Sequence, residues 1–204
     1  MYAEDGKSPA FGGEEGVKAA QFLQDLIYKY KVMSTDCTGM SEADTTAQFN
    51  SGNVGFICSS TSASSNFKDV DWGYFPALTE TTTKTMQVCD QLVMMTAARN
   101  KQLTFDLMLY MTGGDVMTQF HQKLSAYPPI GKDEEYHDNE VFKDMYENHS
   151  DELATEKPVI NKYQIDEHLY KNLQLVMMNE MDSAEAVEEA QEYGQTVLDE
   201  AYAK

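Results

Sequence analysis

The run Phe49-Asn50-Ser51-Gly52-Asn53-Val54-Gly55-Phe56-Ile57-Cys58 leads into Ser59-Ser60-Thr61-Ser62-Ala63-Ser64-Ser65-Asn66 and then, four residues on, Asp71-Trp72-Gly73-Tyr74-Phe75-Pro76. Gly52 ends a short helix marked by Ala43, Ala47 and Phe49, for which Ser41 with Asp44 three residues later gives a start signal resembling a capping box. Asn53 to Cys58 is a short apolar run between turn residues and reads as a strand. Asp71 to Pro76 reads as a second strand, stopped by its proline. Composition alone would make the serine-rich run between them a linker. The order of elements on either side resists that reading.

Working outward, Asp5 to Gly13 is a loop by its Gly, Ser and Pro content. From Glu14 to Lys31, Val17, Ala20, Leu23, Leu26, Ile27 and Tyr30 recur at helical spacing, with Glu14 and Glu15 complementing the positive helix start. Met86 to Thr96 reads as a third strand through Val88, Leu92 and Val93, after an exposed turn at Thr79 to Thr85. Lys101 to Met111 and Gly114 to Leu124 are two amphipathic helices broken at Thr112-Gly113-Gly114. Tyr127 to Gly131 is a proline loop, Asp133 to Glu140 an acidic stretch, and Val141 to Asn148 a short helix. A polar segment ends at Pro158, and two helices, Ile165 to Met181 and Ser183 to Tyr202, close the chain. Three short strands cannot cover the apolar faces of so many helices, and parallel strands are normally buried on both sides. The chain is therefore α/β, helix-rich, with an incomplete sheet.

The 204 residues carry 15 basic and 34 acidic side chains, a net charge of −19, and Arg99 is the only arginine. That balance repels polyphosphate, so no nucleic-acid partner is expected. Met1 to Lys7 lacks a basic region and an apolar stretch, so no signal peptide is read in this chain. Cys37, Cys58 and Cys89 form no CxxC pair; Cys58 and Cys89, at or near strand centres or ends, are expected to be buried free thiols rather than neighbours across a sheet. The methionine pairs Met94-Met95, Met108 with Met111, and Met177-Met178 lie in apolar stripes and are expected in core packing.

Signatures of nucleophile elbows, phosphate loops, zinc-protease helices, calcium loops and dinucleotide folds are all absent, so no catalytic residue, metal ligand or cofactor is assigned. His137 sits in the acidic stretch, which reads as a solvated face, as do Glu188, Glu189 and Glu192 on the last helix.

The ordered set resembles the second half of the extracellular solute-binding proteins of sugar-type ABC transporters, the maltose-binding-protein relatives. Matching features are the short helix, Phe49 to Ile57, the small-residue turn, Asp71 to Pro76, Asn100-Lys101, Thr112-Gly113-Gly114, Tyr127 to Gly131 and Ala186-Val187-Glu188-Glu189-Ala190. The resemblance implies the carboxy-terminal half of a two-lobed periplasmic-binding-protein-like fold. Residues 1–96 would be part of the carboxy-terminal lobe, 97–157 helices of the amino-terminal lobe, and 158–204 the return to the carboxy-terminal lobe. It also implies a binding component without enzyme activity, taking a carbohydrate or other small polar solute in an interlobe cleft and delivering it to permease subunits. The full-length protein would be extracytoplasmic, a membrane-anchored lipoprotein or periplasmic.

Carried over by position, the cleft-facing residues would be Ser59, Ser60, Thr61 and Ser62 in the turn, Asp90 and Gln91 in the third strand, and Tyr163 and Asp166 at the start of the penultimate helix. Ser62 or Ser64 stands where maltose-binding protein places tryptophans, which argues against maltodextrin. Trp72 is expected in core packing rather than on a sugar. Two other readings stand beside this one: a self-contained helical interaction module, and a glycoside hydrolase with Asp90 and Glu167 as its carboxylate pair.

Overall fold

The computed structural model describes residues 1–75, 78–80, 82–88, 91–124, 140–156 and 158–203. Seven α-helices are described: α1 (Glu14–Tyr28), α2 (Glu42–Asn50), α3 (Lys101–Met111), α4 (Gly114–Leu124), α5 (Glu140–His149), α6 (Lys162–Met177) and α7 (Ser183–Tyr202). The strands are β1 (Thr85–Gln87) and β2 (Leu153–Thr155), paired in parallel with Thr85 opposite Leu153, Met86 opposite Ala154 and Gln87 opposite Thr155. Short 3₁₀ turns occupy Thr35–Gly39, Thr61–Asn66 and Ser150–Glu152. The chain divides into two compact units, Met1–Ser41 with Lys157–Lys204, and Glu42–Glu156.

In the first unit α1, α6 and α7 pack around Phe11, Ala20, Ile165, Leu169, Val187, Ala190, Val197 and Leu198. Ile165 and Leu169 in α6, and Val187 and Ala190 in α7, stand four and three residues apart, the spacing that puts one stripe of side chains inward. Asp182 caps α7, its Oδ1 accepting from the amides of Ala184 (2.8 Å) and Glu185 (3.3 Å), two of the donors that a helix start leaves unpaired. Asn172 is buried and donates to the Ala186 carbonyl (3.0 Å) and Glu189 Oε2 (2.6 Å), tying α6 to α7. Glu189 also meets His168 Nε2 at 2.7 Å, and the imidazole stacks on Tyr193 with centroids 3.9 Å apart.

Two glycines mark close approaches. A Cβ on Gly194 would stand 2.8 Å from both Ile165 Cγ2 and Pro9 Cγ, and one on Gly16 would stand 1.6 Å from the Phe11 carbonyl oxygen.

In the second unit Asn50 fastens the end of α2 to the segment after the 3₁₀ turn: its Nδ2 donates to the Asn66 carbonyl (2.9 Å) and its Oδ1 accepts from the Lys68 amide (3.0 Å). Phe67 sits between Phe49 (centroids 5.0 Å) and Trp72 (5.3 Å), so the single tryptophan packs edge-on against a neighbouring ring. Asn100 caps α3, accepting from the Leu103 amide at 3.0 Å.

The described strands are much shorter than the sequence predicts. Residues 53–58 and 71–75 form no strand, although the rings of Phe56 and Phe75 meet at 5.8 Å. Among the described residues of Met86 to Thr96, only Met86 and Gln87 are in a strand, with Thr85 added before them. An extended segment becomes a strand only when a neighbour takes its amide and carbonyl groups, and a three-residue parallel pair gives little of that. The methionine reading is corrected as well, since Met94, Met95 and Met111 in the second unit and Met178 in the first are exposed. The apolar stripes that carry the first three are left without cover: α3 contains no buried residue, and Leu103, Phe105, Leu107, Leu109 and Tyr110 are all exposed. Tyr127 to Gly131, Asp133 to Asn139 and Cys89 lie outside the described residues.

The packing at the glycines reverses the usual sign of a helix substitution. Gly→Ala in an exposed helix gains stability, whereas Gly194→Ala and Gly16→Ala are expected to lose about 1–3 kcal/mol through overpacking, Gly16 more because a backbone oxygen cannot swing aside. Urea unfolding of each variant checks this; a gain in stability at either position contradicts the described packing.

Candidate functional site

The serine-rich turn divides into two parts with different roles. Ser59 and Ser60 precede the 3₁₀ turn and, with Ile57, Cys58 and the α2 residues Glu42, Thr45 and Thr46, line a cavity of about 330 Å³ within the second unit. Thr61 and Ser62 begin the turn itself and are half-buried. Ser62 Oγ lies 2.8 Å from Ser60 Oγ, which couples the turn to the cavity rim. Ser64 and Ser65 donate back to the carbonyls of Thr61 (2.7 Å) and Ser62 (3.0 Å), so these two serines hold the turn's own backbone. Ala63 beneath them is buried.

Sequence reasoning did not find Glu42, Thr45 and Thr46. The signal was present: positions three and four apart share a helix face, and these three polar residues follow that spacing on α2. Reading α2 by its apolar marks, Ala43, Ala47 and Phe49, left these polar residues unread, although Phe49, three positions from Thr46 and four from Thr45, shares their face. Cys58 also differs from expectation, being an exposed free thiol on this cavity, while Cys37 is free and half-buried, with burial pushing its thiol pKa up.

The remaining expected residues are placed as follows. Asp90 lies outside the described residues, and Gln91 is exposed in a segment with no regular structure. Tyr163 and Asp166 are in α6, in the first unit. Tyr163 is 82% exposed, whereas Asp166 is 5% exposed and committed to internal contacts: Oδ1 accepts from Tyr2 Oη at 2.7 Å, and Oδ2 accepts from Lys162 Nζ. A carboxylate with both oxygens so engaged anchors the amino-terminal segment to α6. Glu167, the other carboxylate weighed for hydrolysis, is exposed and pairs with Lys171 at 3.1 Å.

A second cluster holds the segment before Pro76. Tyr74 Oη donates to Asp144 Oδ2 at 2.5 Å, Asn148 Nδ2 donates to Asp144 Oδ1 at 2.6 Å, and the Tyr74 ring meets His149 edge-on. Burial, then the Asp144 carboxylate, pushes the Tyr74 phenol well above its ordinary value. The Tyr74 hydrogen bond, then that of Asn148, lowers the Asp144 carboxyl.

Among the described residues no group of three or more His, Cys, Asp or Glu is placed to hold a metal ion, and no helix is long and apolar enough to cross a membrane. A helix-rich chain with a small parallel sheet is compatible with part of an α/β solute-binding fold. Residues 1–144 match the family of bacterial extracellular solute-binding proteins, and the chain belongs to that family. No curated protein matches the chain. Membership carries the binding of a small solute in the service of transport, in an extracytoplasmic setting, in a family whose members are typically non-enzymatic.

Two predictions test the contacts of Asp166 and of Tyr74. Asp166→Ala removes the carboxylate that accepts from Lys162 and the Tyr2 hydroxyl and is expected to cost about 1–3 kcal/mol in urea unfolding, while Tyr163→Ala leaves stability within about 0.5 kcal/mol; equal costs would contradict the assignment. The Tyr74–Asp144 pair gives a pH signature. Asp144, lowered, contributes stability that is present above the ordinary carboxylate range and lost as pH falls through its folded value. Tyr74, raised, contributes stability present below the ordinary phenol value and lost as pH rises beyond it. Tyr74→Phe is expected to flatten both limbs of stability against pH, and an unchanged profile counts against the pair.

Proposed function

We propose that the chain is the solute-binding component of an ABC importer, taking a sugar or oligosaccharide in a cleft between two lobes and passing it to permease subunits. In this reading residues 1–96 and 158–204 belong to the carboxy-terminal lobe, residues 97–157 are helices of the other lobe, and the full-length protein is a lipoprotein or periplasmic. The observation that carries it is the hydroxyl-lined cavity at Ser59 and Ser60, in the segment where the resemblance puts the cleft-facing turn. Thr61, Ser62, Asp90, Gln91 and Tyr163 are proposed as further ligand contacts. Asp166 enters the proposal only through the position of the α6 start, given its internal contacts.

The bare apolar surface of α3 gives further support. A helix with Leu103, Phe105, Leu107, Leu109 and Tyr110 exposed lacks the cover that apolar side chains require, and an accompanying lobe would supply it. A helical interaction module would also use an apolar face. The two differ in what the chain does alone: the lobe reading predicts binding of an apolar dye and self-association, the module a single well-defined species.

Lobe closure responds to a solute only as far as the solute binds the closed form better, so one part of a cleft binds weakly. Thermal unfolding in a panel of neutral sugars is the direct test. At tenfold excess over Kd, one-site binding stabilises the native form by about 1.4 kcal/mol, about 3 °C or more in Tm for a chain of this size. A rise with at least one sugar is expected, and turnover of a glycoside by the same protein would favour the hydrolase instead.

A further inference from the structure

The cavity beside α2 has an unbalanced chemistry. Its polar side chains are four hydroxyls, Thr45, Thr46, Ser59 and Ser60, and one carboxylate, Glu42; among the described residues lining it there is no lysine, arginine or histidine. A carboxylate only accepts hydrogen bonds, whereas a hydroxyl both donates and accepts. The set therefore complements a solute rich in O–H donors and provides no cation to neutralise an acidic one. Ile57 gives one apolar wall, as the ring face of a sugar requires. The volume of about 330 Å³ is near the low end for ligand sites, which suits one or two sugar rings rather than a long chain. The net charge of −19 adds a long-range bias in the same direction.

From this lining we propose that the cavity is a subsite selective for uncharged polyhydroxyl solutes over their acidic counterparts, with Glu42 as the residue that sets the discrimination. This rests on the solute-binding reading and adds to it the charge class of the solute and three α2 residues, Glu42, Thr45 and Thr46. Glu42 is exposed, so its repulsion of an acid is partly screened. Across about 4 Å of water the effect is about fivefold in affinity, and raising the ionic strength shrinks it.

Cys58 supplies a readout inside the same cavity. Its thiol is exposed, while Cys37 is half-buried with its pKa raised by burial, so peptide mapping of iodoacetamide labelling distinguishes the two positions. Labelling of the full chain is followed with millimolar neutral hexoses and disaccharides and with the matching uronic acids. The expected result is that at least one neutral sugar slows labelling at Cys58 and leaves Cys37 unchanged, while its uronic acid needs about fivefold more for the same protection. Glu42→Gln narrows that ratio toward one, and in the unaltered chain added salt does the same, so the inference does not depend on the variant folding. Three outcomes overturn it: a sugar that raises Tm without protecting Cys58, equal protection by the neutral and acidic forms, or a ratio insensitive to both Glu42→Gln and salt. Each of these leaves the solute-binding reading standing. No protection and no stabilisation with any member of the panel overturns that reading together with this inference.

Discussion

Burial of apolar surface organises this chain, and it is met unevenly. In the first unit α1, α6 and α7 close over Ile165, Leu169, Val187 and Leu198, Asn172 ties α6 to α7, and Asp182 caps α7. In the second unit α3 presents Leu103, Phe105, Leu107 and Leu109 to solvent, and the β1–β2 pair leaves Met86, Ala154 and Thr155 exposed. Parallel strands are ordinarily covered on both faces, and a large exposed apolar surface on a soluble chain marks a place where something else belongs. The proposed second lobe follows from that imbalance.

The proposed function rests on the same segment that gave the fold its reading. Small side chains after Cys58 allow the backbone to turn at once into a 3₁₀ helix, whose later serines bond its own carbonyls. The first two serines are left at the cavity rim, opposite the polar face of α2. The division of one serine run into a self-bonding part and a cavity-lining part explains why composition alone gives a linker and position gives a site.

The helices were legible because their signals are local. The apolar spacing of α1, Asn100 before α3, Gly114 at the α4 start and Ser183 at the α7 start all read directly from sequence, and the described boundaries of α3, α4 and α7 coincide with those expected. Strands depend on partners far along the chain, and here Asn53–Cys58 and Asp71–Phe75 keep the apolar character of strands without forming a ladder. In the candidate site, Ser59 and Ser60 were legible through order of elements, whereas Glu42, Thr45 and Thr46 were missed because a polar helix face reads as solvated until a neighbour is placed beside it. Asp166 illustrates the converse: a carboxylate at a helix start near a cleft-facing position is taken up by Tyr2, a residue 164 positions away whose approach no local pattern announces.

Amide hydrogen exchange on the isolated chain measures this imbalance most directly. Slow exchange is expected through the interiors of α1, α6 and α7, with fast exchange at 53–58, at 85–87 and along α3, because uncovered elements open at little cost. Protection of α3 and the 53–58 segment equal to that of α7 would contradict the account, since it would mean that the second unit is already complete.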